Sequence, residues 1–316
     1  MRASDELAGR VAVVSGGARG IGDAIVRALY GRGARVVIAD SGTSISGDGV
    51  DPAVANDLAR ELGDGALAYT ESLASPGTAA AVVGLAVERL GGLDILVNNA
   101  AILRDAFVFK AAPRDWEAVL AANLSTAFYL ANAATPVLRE RTKAGGPGGS
   151  GYDRGRIVNI VSTAGLYGNY AQIAYASAKA GLFGMTRVLA LDMARSGVTC
   201  NAVAPFAATR VTEIIRPAND DQARYKEQAL RVSPDHVAIF VAYLCSPAAQ
   251  RITGQLFGVR GREVFLFAQP RPVARIVRTD RDWAVADLAE AVDREFTARF
   301  AELQTDLEAF SSEPVV

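Results

Sequence analysis

An apolar run of strand length, Arg10-Val11-Ala12-Val13-Val14-Ser15, leads into Gly16-Gly17-Ala18-Arg19-Gly20-Ile21-Gly22 and then a helical stretch to about Gly31. This succession of strand, glycine turn and helix constrains the fold more than any other feature of the chain. Glycines at 16, 20 and 22 allow a tight turn, close backbone approach to a pyrophosphate and close helix-strand packing, with the phosphates on the helix N-terminus. A glycine-rich turn alone is weak evidence, because loops collect glycine for conformational reasons. It gains weight from the next apolar run, Arg35-Val36-Val37-Ile38-Ala39, which ends in Asp40, twenty residues after Gly20. A carboxylate there accepts hydrogen bonds from an adenosine ribose and repels a 2′-phosphate, which argues for NAD. Arg19 pulls the other way, since a guanidinium beside the ribose pairs with a 2′-phosphate. A fixed carboxylate excludes the phosphorylated cofactor, whereas a surface arginine can swing into solvent, so NAD is the expected cofactor.

Strand candidates at 10–15, 35–39, 66–69, 93–98, 156–161, 198–203 and 255–259 alternate with helical stretches. That pattern predicts an α/β fold: a Rossmann-type doubly wound parallel sheet of about seven strands in three α/β/α layers, with a C-terminal helical extension. At 316 residues the chain exceeds the roughly 250 of a large single α/β domain. The expected division is a catalytic, NAD-binding domain over 1–262 and an extension over 263–316 that packs on the same domain or on a neighbouring subunit. Half of the residues are apolar, ample for a buried parallel sheet. A net charge of -1 gives no reason to expect nucleic acid or an anionic membrane as partner. Met1 to Arg10 carries four charged residues and no apolar core, and no stretch of about 18 apolar residues occurs, so the expected location is cytoplasmic. Cys200 and Cys245 read as buried small hydrophobes. His236, the single histidine, sits behind Ser233-Pro234 at the start of an apolar run and reads as a helix-entry residue, so no metal site is expected.

Chemistry enters with Tyr175 and Lys179, four residues apart, and with Ser162 thirteen positions before the tyrosine. On a helix, side chains at i and i+4 share a face, so phenol and ammonium can point into one pocket while a strand-end hydroxyl reaches the same carbonyl. Lowering a phenol pKa from about 10 to about 7 takes around 4 kcal/mol. One positive charge at ~4 Å supplies about that much at an effective dielectric of ~20. The bland alternative is a core tyrosine beside a lysine snorkelling to water; the glycine turn and Asp40 decide against it.

Ser15 to Gly22, Asn98-Asn99-Ala100, Asn123, Ser162, Tyr175, Lys179 and Pro205 together resemble the ordered motif set of the short-chain dehydrogenase/reductase family, over about Gly9 to Gly261. The resemblance implies that Tyr175 is the general acid or base at the substrate oxygen and that Ser162 hydrogen-bonds that oxygen. It implies that Lys179 lowers the tyrosine pKa and binds the nicotinamide ribose, and that Asn123 anchors a proton-relay water. The implied cofactor contacts are Gly16, Arg19, Gly20, Ile21, Gly22, Asp40, Ser72, Leu73, Asn99, Ala100, Tyr175, Lys179, Pro205 and Thr209. Several positions depart from the pattern. Ser15 replaces a threonine, Ala101 and Phe206 replace glycines, and Arg260-Gly261-Arg262 stands where an aspartate and two glycines are common. By the same resemblance, a homodimer or homotetramer is expected.

A closer likeness runs through Ala101-Ile102-Leu103-Arg104-Asp105, Leu166 to Gln172, Ser233 to Ala238 and Gly254-Gln255-Leu256-Phe257, with the long loop from Ser41 to Pro52. These segments resemble the (3R)-hydroxyacyl-CoA dehydrogenase unit of peroxisomal multifunctional enzyme type 2 and related bacterial dehydrogenases of sterol breakdown. The resemblance implies oxidation of a secondary alcohol, a 3-hydroxyacyl-CoA with a fatty or sterol side chain. A 17β-hydroxysteroid dehydrogenase, an NADPH-dependent ketoreductase and a non-catalytic NAD-sensing or assembly protein remain alternatives.

Tyr167, Tyr170 and Phe206 are the candidate substrate contacts. The irregular segment from Phe206 to Leu230 has the length of a lid, with Ile214, Ile215 and Tyr225 offering apolar contact, or it is ordinary packing of a crossover. Gly145 to Gly151 reads as a flexible surface insertion. Leu288, Val292, Phe296 and Phe300 suggest one amphipathic helix over Trp283 to Phe310. Arg271, Arg275, Arg278 and Arg281 before it either pair with CoA phosphates or form a solvated face.

Overall fold

The apolar runs are short, lack a polar alternate face, and are bounded by turn residues, which is the signature of strands covered on both sides. In the computed structural model, which describes residues 6–144, 155–213, 217 and 219–316, they form one sheet with the order β3-β2-β1-β4-β5-β6-β7-β8. The strands are β1 (Val11–Ser15), β2 (Arg35–Ala39), β3 (Ala66–Tyr69), β4 (Ile95–Asn98), β5 (Arg156–Ile160), β6 (Thr199–Phe206), β7 (Leu256–Arg260) and β8 (Glu263–Leu266). The first seven pair in parallel, and β8 runs antiparallel to β7 in the register Arg260 to Glu263. The seven expected strands are therefore present, and β8 is an addition to them. Its turn, Gly261-Arg262, is tight because Gly261 adopts φ +57°, and its outer residues Val264 and Leu266 are exposed, so it is an edge strand.

The helices are α1 (Gly20–Tyr30), α2 (Pro52–Leu62), α3 (Pro76–Leu90), α4 (Pro113–Leu120), α5 (Thr126–Lys143), α6 (Ala164–Tyr167), α7 (Ile173–Asp192), α8 (Arg210–Glu213), α9 (Asp220–Ala229), α10 (Asp235–Cys245), α11 (Val285–Phe296) and α12 (Asp306–Ala309). Alternate strand residues feed two cores. Ala12, Val14, Val36 and Ile38 pack with Ile25, Leu29 and Val241 of α1 and α10. Val11, Val13 and Val37 pack with Val82, Ala86 and Leu130 of α3 and α5. The result is three layers with both sheet faces dry. The strand order reverses between β1 and β4, which opens a crevice at the carboxyl ends of the strands.

Cys200 and Cys245 are free and buried, and His236 is the second residue of α10. No helix among the described residues is long and apolar enough to cross a membrane, and no group of three or more His, Cys, Asp or Glu among them could hold a metal ion.

The C-terminal part differs from the single amphipathic helix expected over 283–310. Helix α11 ends at Phe296, and Phe300, the last residue of the proposed stripe, is 64% exposed outside it. The chain divides as Met1–Phe267 with Thr305–Val316 in one compact unit and Ala268–Gln304 in the other, a different partition from 1–262 and 263–316. Strand β8 draws the boundary past 262, and the last twelve residues return to the catalytic unit. Within the second unit, Arg278 and Arg281 both pair with Asp287.

Candidate active site

The dinucleotide end is built mainly from backbone. Ser15 at the tip of β1 accepts hydrogen bonds at its hydroxyl from the backbone N–H of Asn99 (3.0 Å) and Ala100 (3.1 Å), so the serine does what the threonine it replaces would do. Asn99 donates its side-chain amide to the carbonyls of Ser15 (3.1 Å) and Gly16 (2.9 Å), tying β4 to the turn. A Cβ on Gly22 would lie 1.9 Å from the Gly16 oxygen, so only glycine lets α1 start this close to β1. Gly20 adopts φ +55°, and a Cβ placed there would meet Thr209 at 3.7 Å. No side chain caps the N-terminus of α1, which opens with Gly20 and Ile21. Those N–H groups, with Thr209 beside them, are the donors that would hold a pyrophosphate, and Pro205 lies half-buried near the end of β6.

Asp40 is fixed from two sides: Ala18 N–H donates to Oδ2 (3.1 Å) and Gly42 N–H to Oδ1 (2.8 Å). Arg19 lies beside it, 3.8 Å from Oδ1, and donates to the Thr43 carbonyl at 2.7 Å. Its Nε is buried and has no hydrogen-bond partner among the described residues. Ser72 is exposed, and the Leu73 side chain is buried in the core, which leaves the Leu73 backbone as the part able to meet an adenine. Ala101 is exposed, so its extra methyl is accommodated without crowding the protein.

The chemical end joins three elements. Ser162 follows β5, and Tyr175 and Lys179 sit one turn apart on α7; the Ser162 hydroxyl accepts from Ala164 N–H (3.2 Å) and lies close enough to the Tyr175 phenol to lower its pKa. Lys179 Nζ donates to the Ile160 carbonyl (2.8 Å) and stands 5.7 Å from the tyrosine ring centre. Asn123 is buried in a π-helical turn, Ala121–Ser125, between α4 and α5. Its amide oxygen accepts from Ile102 N–H (2.8 Å) and its nitrogen donates to Ile102 O (2.9 Å). The Asn123 side chain thus ties the π-helical turn to the irregular segment after β4, with one N–H and one lone pair of its amide used there.

One electrostatic expectation is reversed. Burial pushes the Tyr175 phenol up to about 12; the Ser162 hydrogen bond lowers it, and the negative charges of Asp306 and Asp105 raise it. Burial also pushes Lys179 down to about 8. The ammonium is itself desolvated and bound to a carbonyl, and burial of the phenol outweighs what lowers its pKa.

Among the candidate substrate contacts, Phe206 is buried, Tyr167 is part-exposed, and Tyr170 is 65% exposed on the surface. Tyr225 on α9 lies within electrostatic reach of Tyr175 and Asp306, and burial raises its phenol. Ile214, Ile215 and the Gly145 to Gly151 insertion, apart from Ala144 before it, lie outside the described residues.

The family model described as short chain dehydrogenase matches residues 10–223. The chain belongs to this family. It is 37% identical over 296 residues to hydroxyacyl-CoA dehydrogenase ChsB1 of Mycobacterium tuberculosis, covering 93% of this chain and 90% of that one. It is 36% identical over 245 residues to peroxisomal multifunctional enzyme type 2 of Drosophila melanogaster, covering 77% of this chain and 37% of that longer protein. Among solved structures, 3-ketoacyl-(acyl-carrier-protein) reductase from Brucella melitensis complexed with NADH superposes with a TM-score of 0.71 at 26% identity, covering 81% of this chain and 98% of that one. The protein is accordingly a short-chain oxidoreductase acting on CH-OH groups, of a family that binds a nicotinamide cofactor, on a Rossmann fold.

Four features of the site were not foreseen. Thr163 donates to Asp306 (2.9 Å) across 143 residues, and Phe310 packs edge-on against Tyr167 with ring centres 5.6 Å apart. Asp105 accepts from Gln172 (3.0 Å). Ala171, beside that glutamine, takes φ +63°, a conformation costly for a residue with a Cβ, held by the Ala106 N–H bonding to its carbonyl. No sequence spacing marks these contacts, because each links segments that only the finished fold brings together.

Proposed function

We propose that the chain is an NAD-dependent dehydrogenase that oxidises a 3-hydroxyacyl-CoA, with a fatty or sterol-derived acyl group, to the 3-ketoacyl-CoA. The observation that carries the chemistry is Ser162 at the end of β5 within reach of the Tyr175 phenol, whose pKa it lowers, with Lys179 one turn away on the same face of α7. Ser162 orients the substrate oxygen and Tyr175 moves its proton at the phenolic oxygen. Lys179, anchored at Ile160 O, contributes positive charge behind the phenol and a donor for a ribose. Gly20, Ile21, Gly22, Asp40, Asn99, Ala100, Pro205 and Thr209 would hold the dinucleotide, which when bound supplies the hydride acceptor and, oxidised, a positive charge beside the phenol. Preference for NAD is supported by Asp40, whose two oxygens are pinned by backbone N–H groups and cannot swing aside for a 2′-phosphate. The acyl-CoA class is supported by likeness to the mycobacterial hydroxyacyl-CoA dehydrogenase along nearly all of both chains.

The second reading, an NADPH-dependent ketoreductase, is favoured by the part-exposed Arg19 guanidinium beside Asp40 and by burial of Tyr175, which raises its phenol and favours the acid form needed for reduction. A panel assayed by absorbance of the reduced cofactor separates the readings: 3-hydroxyacyl-CoAs, their CoA-free acids and 17β-hydroxysteroids with NAD and with NADP. Turnover of the thioesters with NAD is expected to lead. Indifference to CoA would reject the substrate, and preference for NADP would reject the cofactor.

A further inference from the structure

Helix α7 is held firmly beyond Tyr175. Lys179 donates to Ile160 O there, and Gly165 of α6 lies so close that a Cβ on it would meet Ala180 N at 2.7 Å. Before Tyr175 the helix has no such anchor of its own: Gln172 occupies the N-cap position, and its side chain makes no capping hydrogen bond. The first turn, which carries Tyr175, opens with the bond from Ala176 N–H to Gln172 O at 2.8 Å. Where Gln172 sits therefore decides where the phenol sits.

Gln172 is placed by the segment that follows β4. Ala106 and Gln172 form an isolated parallel bridge, Ala106 N–H donates to Ala171 O (2.8 Å), and the Gln172 amide donates to Asp105 Oδ2 (3.0 Å). That segment is itself tied down: Ile102 is bonded both ways to Asn123, Leu103 N–H to Ile45 O (2.8 Å), and Arg104 to Ser46 O and Asp115 (both 2.9 Å). The turn it holds is strained. Ala171, at φ +63°, is the one described residue other than glycine in the left-handed region, and such a residue stays there only where its neighbours over-determine it. Asp105 supplies the side-chain part of that restraint, and a charged acceptor makes it the stronger kind of hydrogen bond. We propose that Asp105 is a positioning residue for the reaction: by holding Gln172 it fixes the Ala171 turn and sets where α7 presents the Tyr175 phenol. This rests on the proton-transfer role given to Tyr175 above and is independent of the acyl-CoA and NAD readings.

The test compares Asp105→Ala, Asp105→Asn and the double variant Asp105→Ala with Ala171→Gly. It measures kcat and KM for the best secondary alcohol of the panel, and NADH affinity by fluorescence titration. In Asp105→Ala, kcat should fall by about tenfold or more, the scale of a slightly misplaced reacting group, while KM and NADH affinity stay within about twofold. Asparagine still accepts from Gln172, so Asp105→Asn should keep kcat within about twofold of the parent. Glycine adopts a positive φ without strain, so the double variant should recover most of the loss. A merely structural aspartate would lower stability and leave kcat of the folded Asp105→Ala variant unchanged, which overturns the proposal. Equal losses in Asp105→Asn and Asp105→Ala, or no recovery by glycine, overturn it as well, because charge and not the held turn would then be at work. Should the parent turn over no alcohol in the panel, the proposed function fails by itself, and hydrogen exchange decides this one. The amides of Ala106 and Ala176 should then exchange faster in Asp105→Ala and at the parent rate in Asp105→Asn, and equal rates in all three chains overturn the positioning.

Discussion

The two ends of the crevice are held by different means. At the dinucleotide end, backbone meets backbone: Gly22 lies against the Gly16 carbonyl, Asn99 grips two carbonyls of the turn, and Asp40 is pinned by two N–H groups. At the substrate end, side chains from distant segments meet: Phe310 with Phe206, Tyr167, Phe265 and Phe267, and Asp306 with Thr163. The first end can accept one shape, because a backbone cradle has no rotamers to change. The second can be retuned by single substitutions, because an aromatic cluster tolerates changes of size at moderate cost. A family that keeps its cofactor while varying its alcohol needs this asymmetry.

The largest effect tests the point where the two ends join. Tyr175→Phe deletes the proton-transferring oxygen yet keeps the ring, so turnover should fall by about a thousandfold or more, the upper range of general acid-base catalysis. NADH binding, which depends on the other end, should change little in a fluorescence titration. Comparable turnover in the variant would mean that the phenol moves no proton. Near-total loss of NADH binding would mean that the ends are not separable.

Next in size is Asp306, which lies at 6% exposure with Oδ1 unpartnered. Burial pushes its carboxyl up to about 6. Its folded value exceeds its unfolded one, so its stabilising contribution is complete below about pH 4 and is lost as pH rises through about 6. A rise of about two units corresponds to about 3 kcal/mol, carried as a penalty at pH 8. Asp306→Asn removes the charge and can still accept from Thr163. It should unfold at higher urea than the parent at pH 8 by an amount reflecting that figure, and match it at pH 4. A difference independent of pH would show that the carboxylate is solvated and the tail loosely seated.

How far each end was legible follows from the same contrast. The strands were readable because both faces are buried and each run is uninterrupted, and the glycine turn and Asp40 because their partners lie within one βαβ unit. Tyr175 and Lys179 were readable because helical period alone puts them on one face. Strand β8 was missed because its outer residues, Val264 and Leu266, face solvent and carry no burial pattern. The seating of the tail was missed because Asp306 and Thr163 stand 143 positions apart, and no local rule joins them. The direction of the Tyr175 shift was misjudged for a related reason: charge spacing is written in the sequence, whereas desolvation is a property of the packed site.

A smaller effect probes the rigid end. Gly22→Ala places a Cβ 1.9 Å from the Gly16 oxygen and 2.7 Å from Asn99 Nδ2. Overpacking against backbone costs up to about 3 kcal/mol, and alanine returns about 1 kcal/mol of helix propensity. A net loss of about 2 kcal/mol in urea unfolding is expected, with weaker NADH binding because the cradle must open. If stability holds and NADH binds as before, the backbone cradle is softer than its contacts imply.

The smallest effect asks whether cofactor choice belongs to the rigid end at all. Asp40→Asn keeps an acceptor for only one of the Ala18 and Gly42 N–H groups, and it removes the charge that opposes a 2′-phosphate and that holds Arg19 at 3.8 Å. The ratio of kcat/KM with NADP to that with NAD should rise by about tenfold, equivalent to about 1.4 kcal/mol at a part-exposed site. Arg19→Ala in that background should cancel most of the gain, since the guanidinium is the group that would meet the phosphate. If Asp40→Asn leaves the ratio unchanged, selection lies in the loop after β2 and not in the carboxylate. If Arg19→Ala alone weakens NAD as much as NADP, the arginine serves the adenine end in general and carries no preference.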